Sequence, residues 1–312
     1  MKQFLSDVLK GLRSTPKYLD SKYFYDKKGD ELFQEIMASD EYYLTNSEME
    51  IFSGQTVAIA DSVLQNGEKL EVIEFGAGDA TKSTFLLKEL AKRKAMDTYF
   101  PIDISDNIIR LLTETIPVSI PGISIHGLNG EYFEMLSRAA TLTKNKKLVL
   151  FLGANIGNFR HDATPAFCKK LRSLLSKDDV VIIGFDLKKN PKKILAAYND
   201  ASGYTREFNL NLLRRINREL NANFDLKSFE HYATYDPDSG ACKSYLVSLK
   251  KQQVCMGENC EINFEKDETI FMEISQKYSA VQIDALARES GFTPTVNFFD
   301  SNRYFVDVIW KC

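Results

Sequence analysis

The sequence predicts an α/β protein: a doubly wound parallel sheet interrupted by a second region of α+β character. Five short apolar runs, each followed by a segment of helical period, lie between residues 70 and 188. None of them alternates apolar with polar residues, which marks strands covered by helices on both faces. After residue 188 the rhythm changes to long helices and then to alternating strands, and it returns only near the C-terminus.

In chain order, residues 1–50 read as helical and aromatic, with Pro16 interrupting the first amphipathic segment. Tyr18, Tyr23, Tyr25, Tyr42 and Tyr43 crowd this stretch. Tyrosines usually pack with their hydroxyls at a wet edge, and this density suggests the wall of a binding site. Residues 54–66 predict a helix whose apolar side is Val57, Ile59, Ala60, Val63 and Leu64. LEVIEF (70–75) is the first buried strand, and the glycine turn GAGDATKS opens the helix STFLLKELAKRKA. TYFPIDIS (98–105) is the second strand, followed by a helix, NIIRLLTETI, that Pro117 should end. ISIHGL (123–128) is read as the third strand, with LSRAATL in the helix after it. KLVLFLGA (147–154) and DVVIIGFDL (179–187) complete the five, separated by the helix TPAFCKKLRSLLS. Beyond them comes a helical stretch broken at Gly203, strands about a DPDSG turn, a helix AVQIDALARESG, and terminal strands in FFDSNRYFVDVIWKC. Residues 189–277 therefore read as an insertion.

Composition narrows the function. The net charge is −3, and the basic runs Lys92-Arg93-Lys94, Lys144 with Lys146-Lys147, and Lys188-Lys189 are short. They read as solvated helix ends or turns rather than a phosphate-tracking patch, so no nucleic-acid partner is expected. The opening MKQFLSDVLKGLRS mixes charge into every turn and is not expected to be a signal peptide. No 18-residue uncharged apolar stretch appears, so no membrane span is expected. Five cysteines are an odd number, and Cys255 and Cys260 match no common zinc spacing. His126, His161 and His231 lie far apart, so no metal is expected. These features predict a cytoplasmic protein with reduced thiols, expected to be a monomer.

The sharpest local motif is Glu74-Phe75-Gly76-Ala77-Gly78. The two glycines let the backbone turn tightly and approach a ligand, and the following helix points free N–H groups at it. The third glycine of a dinucleotide fingerprint is missing, and Asp79 would repel a pyrophosphate. A ligand with a cationic centre and a carboxylate suits the turn better, and S-adenosylmethionine has both. Asp103, at the carboxyl end of the second strand, stands where such folds place a ribose-binding carboxylate. Glu131 and Tyr132, after the third strand, offer an acid and an aromatic beside an adenine. With Lys82 these residues form the expected cofactor set: Gly76, Gly78, Lys82, Asp103, Glu131 and Tyr132.

Several blocks resemble the histidine Nα-methyltransferases of ergothioneine biosynthesis and their fungal amino-acid N-methyltransferase relatives. They are YFYDKKGDELFQEI (23–36), EYYLTNSE (41–48), EFGAGDATKS (74–83), FPIDIS (100–105), LFLGANIGNF (150–159), AAYNDASGYTREFNLNLLRRINREL (196–220) and MEISQKY (272–278). The resemblance implies a Rossmann-like methyltransferase domain, residues 53–188 plus 278–312. It also implies a second, α+β substrate-binding domain, residues 1–52 plus 189–277, with the amino acid enclosed between the two. The family's α-amine contact falls on Asn158 and its substrate-carboxylate tyrosines on Tyr198 and Tyr25. Asn158 and Tyr198 are thus the expected catalytic residues. The imidazole pocket falls on Tyr42, Glu273 and Ser275, with Tyr43 as an alternative to Tyr42. One departure is Ser244, where histidine-specific members often carry Met.

Two further readings of the glycine turn stay open at this level: a nicotinamide-dependent dehydrogenase, and an S-adenosylmethionine-binding module without catalysis. Within the resemblance, the alternative to histidine is another amino acid or amine.

Overall fold

A computed structural model describes residues 2–64, 69–159, 162–257 and 260–312. His161 and residues 65–66 of the expected 54–66 helix lie outside the described residues. The chain begins with α1 (Lys2–Leu12), β1 (Lys17–Tyr18), α2 (Lys27–Ala38) and α3 (Tyr43–Val63). It continues through β2 (Leu70–Phe75), α4 (Ser83–Lys92), β3 (Met96–Asp103), α5 (Asp106–Ser119), β4 (Ser124–Ile125), β5 (Leu128–Asn129) and α6 (Tyr132–Leu142). Then come β6 (Lys146–Phe151), α7 (Thr164–Ser173), β7 (Val180–Asp186), α8 (Pro191–Ala197) and α9 (Tyr204–Leu220). It ends with β8 (Phe229–Asp236), β9 (Ala241–Ser248), β10 (Gln252–Met256), β11 (Cys260–Phe264), β12 (Thr269–Gln276), α10 (Ala280–Glu289), β13 (Thr293–Phe299) and β14 (Phe305–Lys311).

The chain divides into two compact units: Met1–Tyr43 with Lys189–Ser275, and Leu44–Lys188 with Gln276–Cys312. The first division falls at residue 43, not 52, and the last at 275, not 277. Residues 44–52 go with the larger unit because Ser47 and Glu48 are buried there against its residues. Among the described residues no helix is long and apolar enough to cross a membrane.

The larger unit is built on one sheet of order β13-β14-β7-β6-β2-β3-β4, with β5 also paired to β3. Strands β2 to β7 run parallel, whereas β14 is antiparallel to β7, and β13 to β14. Alternate residues face alternate sides. Ile73, Phe75, Val149, Phe151, Val181, Ile183, Val308 and Trp310 join Leu136, Leu171 and Ile283 of the helices in an apolar core. The strand residues between them include the buried acids Glu74 and Asp307, so this sheet is not apolar throughout.

Three expectations need correction. ISIHGL is not one strand but two bridges of two residues, β4 and β5, each paired to β3. Pro117 does not end α5, which runs to Ser119 with the proline inside it. Ile116 and Ile120 are both buried and four residues apart, and the chain keeps turning to bring both inward; the Ile120 N–H still reaches the Ile116 carbonyl at 2.8 Å. The helix expected from residue 54 begins at Tyr43.

The smaller unit holds a four-stranded sheet of order β1-β12-β9-β8 and a hairpin, β10-β11. Its core joins Phe24, Phe208, Leu212, Phe229, Leu246 and Met272. Asp26 caps α2 by accepting the Gly29 N–H at 2.8 Å. The same carboxylate ties α2 to α9 through Asn211 at 2.8 Å and Arg218 at 2.6 Å. Gly203, with φ of +75°, breaks the helical stretch just before α9, a conformation open to glycine at no steric cost.

Candidate active site

In the larger unit the turn after β2 converges on the end of β3. The Gly76 N–H donates to the Ile102 carbonyl at 2.8 Å. Gly76 and Gly78 have φ of +61° and +53°. A Cβ on Gly76 would stand 3.0 Å from Asn155 Nδ2 and 3.1 Å from the Tyr132 hydroxyl, so only glycine leaves the turn open there. Asp103 accepts the Gly78 N–H at 3.2 Å on one oxygen and the Ser105 N–H at 2.9 Å on the other. Burial raises its pKa despite these donors. Tyr132 stacks on Phe75, centroids 5.0 Å apart at 10°; burial, then the charges of Asp103 and Glu131, push its phenol well up. Glu131 is exposed at the N-cap of α6. Lys82, immediately before α4, pairs with Glu48.

Those features fit S-adenosylmethionine. The turn presents backbone to a ligand, a carboxylate stands beside it with acceptor capacity for ribose hydroxyls, and an aromatic ring lies flat nearby. On the same unit Asn158 is exposed at the end of a 3-10 turn, Asn155–Asn158. Gly157 lets that turn approach the backbone of Gln276 in the same unit, since a Cβ there would stand 2.8 Å from the Gln276 carbonyl oxygen.

The smaller unit gathers the other expected acceptor residues. The Tyr198 hydroxyl donates to Ser275 Oγ at 2.7 Å. Glu273 lies two residues before Ser275 on β12 and so projects from the same face. The Tyr42 ring meets Tyr198 edge-on at 6.1 Å, Phe33 joins Tyr42 at 6.4 Å, and Tyr25 joins Phe33 at 5.8 Å. Tyr43 instead lies beneath two ammonium groups, with Lys189 Nζ 4.3 Å and Lys193 Nζ 5.7 Å from its ring centroid. Tyr42 is therefore the one that shares a cluster with Tyr198. Ser244 is buried on β9, opposite Ala233 of β8.

The sequence reading missed Asn155 and Glu48. Asn155 lies in FLGANIGNF and Glu48 in EYYLTNSE, where the expected roles fall on Asn158 and on the tyrosines. Among the described residues no cluster of three or more His, Cys, Asp or Glu could hold a metal ion.

A family model of histidine-specific, S-adenosylmethionine-dependent methyltransferases matches residues 4–312. A histidine N-alpha-methyltransferase of Mycolicibacterium smegmatis is 31% identical over 93% of this chain and 88% of its own length. Ergothioneine biosynthesis protein 1 of Neurospora crassa is 29% identical over 95% of this chain, which spans only 33% of that protein. An L-tryptophan methyltransferase of Psilocybe serbica is 26% identical over 96% of this chain and 90% of its own. The chain is an S-adenosylmethionine-dependent N-methyltransferase, and it belongs to the histidine-specific methyltransferase family.

Proposed function

We propose that the chain methylates the α-amine of L-histidine, up to the trimethyl betaine. The observation that supports this is the contiguity of the acceptor set in the smaller unit. Tyr25, Tyr42, Tyr198 and Ser275 form one chain of ring contacts and hydrogen bonds through Phe33, with Glu273 on the Ser275 face of β12. On this reading residues 44–188 and 276–312 form the donor domain, and residues 1–43 and 189–275 the acceptor domain.

The residues then have separable tasks. When bound, S-adenosylmethionine supplies an electrophilic methyl group on a sulfonium centre. Gly76, Gly78 and Lys82 hold its polar tail, Asp103 its ribose, and Glu131 and Tyr132 its base. Tyr198 and Tyr25 donate hydrogen bonds to the substrate carboxylate without adding a competing charge. The Asn158 carboxamide oxygen accepts an amine N–H and so aims the nitrogen lone pair. Tyr42 borders the imidazole, Glu273 accepts its N–H and Ser275 completes the slot. No residue is needed as a strong base, because the reactive amine is the neutral form. Positioning alone can supply about 7–11 kcal/mol of the barrier.

A second reading, the same reaction on another amino acid, draws on Ser244. A small hydroxyl in place of methionine leaves room for a larger ring or a polar group. One assay separates the two. The protein is incubated with S-adenosylmethionine and each amino acid in turn, and S-adenosylhomocysteine and product mass are followed. A histidine product heavier by three methyl groups is expected. Methylation of a different amine with no turnover of histidine rejects the first reading in favour of the second. Within the site, Tyr198→Phe should raise the KM for histidine about tenfold, the worth of one hydrogen bond to a charged group.

A further inference from the structure

EYYLTNSE ends in an acid to which the proposed contacts give no task. Glu48, in the larger unit, is wholly buried on α3. Its two oxygens accept the Gly153 N–H at 2.8 and 2.9 Å, and one also accepts from Lys82. Gly184 makes the room: a Cβ there would lie 2.4 Å from Glu48 Oε1. Directly across the ladder from Gly184 stands Asp307, equally buried.

Neither oxygen of Asp307 receives a donor from a described residue, and its pairing with Gly184 puts it on the face of the sheet where Glu48 Oε1 lies. Two neighbouring carboxylates repel strongly away from water. The pairing becomes attractive only when one proton is held between them, as in other paired acids. Burial first, and the charge of Glu48 second, hold the Asp307 carboxyl well above its usual range, so the pair holds one proton between them. One ammonium, one carboxylate and one carboxylic acid then balance in the interior. Glu74 also faces Lys82, but it is engaged by Tyr99 and Ser83.

Glu48 therefore joins the Gly153 backbone to the Lys82 side chain. Lys82 precedes the helix that follows the glycine turn, and Gly153 opens the turn that presents Asn155 and Asn158. The two meet closely: a Cβ on Gly153 would be 3.6 Å from Lys82 Nζ and 3.5 Å from Asn155 Nδ2. We propose that Glu48 is a positioning residue for methyl transfer, setting Lys82 and the Gly153 turn with one carboxylate, and that Asp307 supports it through a shared proton. This rests on the reading that Lys82 meets the donor and Asn158 the amine.

The test uses the full chain and titrates S-adenosylhomocysteine without any acceptor. Glu48→Ala should weaken it at least tenfold and speed hydrogen exchange at the Gly153 amide at least tenfold. Glu48→Gln should restore affinity to within about threefold, since its oxygen still accepts the Gly153 N–H and its amide donates to Asp307. The infrared band of a buried carboxylic acid should persist at pH 8 and be lost in Asp307→Asn. Affinity within twofold of the parent in Glu48→Ala, or no such band in the parent, overturns the proposal. If Glu48→Ala does not fold, Glu48→Asp decides, because it keeps the charge but withdraws it by one methylene. A tenfold loss supports the proposal, and affinity within twofold overturns it. A parent that binds S-adenosylhomocysteine but leaves histidine unmethylated overturns only the substrate reading, whereas one that does not bind it overturns both.

Discussion

The acids that link the helices of the smaller unit and those around the glycine turn of the larger one respond to burial in opposite ways. In the smaller unit, Asp26 and Asp200 are answered by donors, whereas burial raises Asp20. Burial pushes Asp26 up, but Arg218, the Gly29 N–H and Asn211 outweigh it, and its pKa falls below the usual range. Asp200 is also held down, because Thr205 and the N–H groups of Thr205 and Tyr204 outweigh its burial. In the larger unit Asp186 is paired with the buried Lys277, but at three other acids burial wins. Glu74 rises to about 7 despite Tyr99 and Ser83, Asp307 rises well above its usual value, and Asp103 rises despite three backbone N–H groups. An answered acid stiffens a scaffold. An acid held partly unanswered stays ready to accept a ligand or a shared proton, and it is the acids around the glycine turn that are of this kind.

The largest expected effect tests whether the two units divide the two ligands. Asp103→Ala removes the acceptor for ribose hydroxyls and leaves the Gly78 and Ser105 N–H groups unanswered. S-adenosylhomocysteine affinity should fall about a hundredfold, equivalent to about 2.7 kcal/mol, while histidine affinity changes little. Glu273→Ala should do the reverse, weakening histidine about ten- to a hundredfold and S-adenosylhomocysteine by less than threefold. Calorimetric titration of each ligand into each variant reads all four numbers. If both variants weaken both ligands alike, the division is wrong.

Next in size is an opposed response to pH. Glu74 has a pKa raised from 4.5 to about 7 by burial. The folded state therefore holds a proton that the unfolded state has lost, and stability falls as pH rises from about 4.5 to 7. His231, in the smaller unit, is lowered from 6.5 to about 4 by burial, and its Nε2 has no partner among the described residues. Here the unfolded state binds the extra proton, so stability falls as pH drops from 6.5 towards 4. Glu74→Gln should gain on the order of 2 kcal/mol at pH 8 relative to its effect at pH 5. His231→Phe should show the opposite trend, with about 2 kcal/mol of relative gain at pH 5 over pH 7.5. Denaturant titrations at those pH values measure both. The contrast is broken if the two variants change in the same direction with pH.

The same difference explains what could be read from the sequence. LEVIEF, KLVLFLGA and DVVIIGFDL were legible because a continuous apolar run has few alternatives to a buried strand. ISIHGL contains the same kinds of residue, yet only two-residue pieces pair with β3, because Gly127 must sit close to α5: a Cβ on it would lie 2.5 Å from Ile109 Cγ2. The start of α3 was hidden because Ser47 and Glu48 look like surface residues and are buried. For the same reason the first division between units, expected at residue 52, lies at residue 43. The glycine turn and Asp103 could be read from spacing alone. Asn155, Glu48 and Asp307 could not, since each has its meaning from a partner far away in sequence: Gly76 for Asn155, Gly153 for Glu48 and Gly184 for Asp307.

The smallest effect compares an isolated cap with one that also ties two helices. Ser279 opens α10 in the larger unit with a capping box: its Oγ accepts the Gln282 N–H at 3.3 Å, and Gln282 Oε1 accepts the Ser279 N–H at 2.8 Å. Ser279→Ala removes one of these two bonds and leaves the other, because the second uses only the backbone of residue 279. The cost should be about 1 kcal/mol, with methyl transfer within twofold of the parent. Asp26 of the smaller unit caps α2 and also holds Asn211 and Arg218 of α9, so Asp26→Ala removes three bonds and frees a buried carboxamide and a guanidinium. Its cost in urea denaturation should be at least twice that of Ser279→Ala. Equal costs would mean that the link between α2 and α9 adds nothing to the cap, and that the answered acids of the smaller unit do not stiffen it.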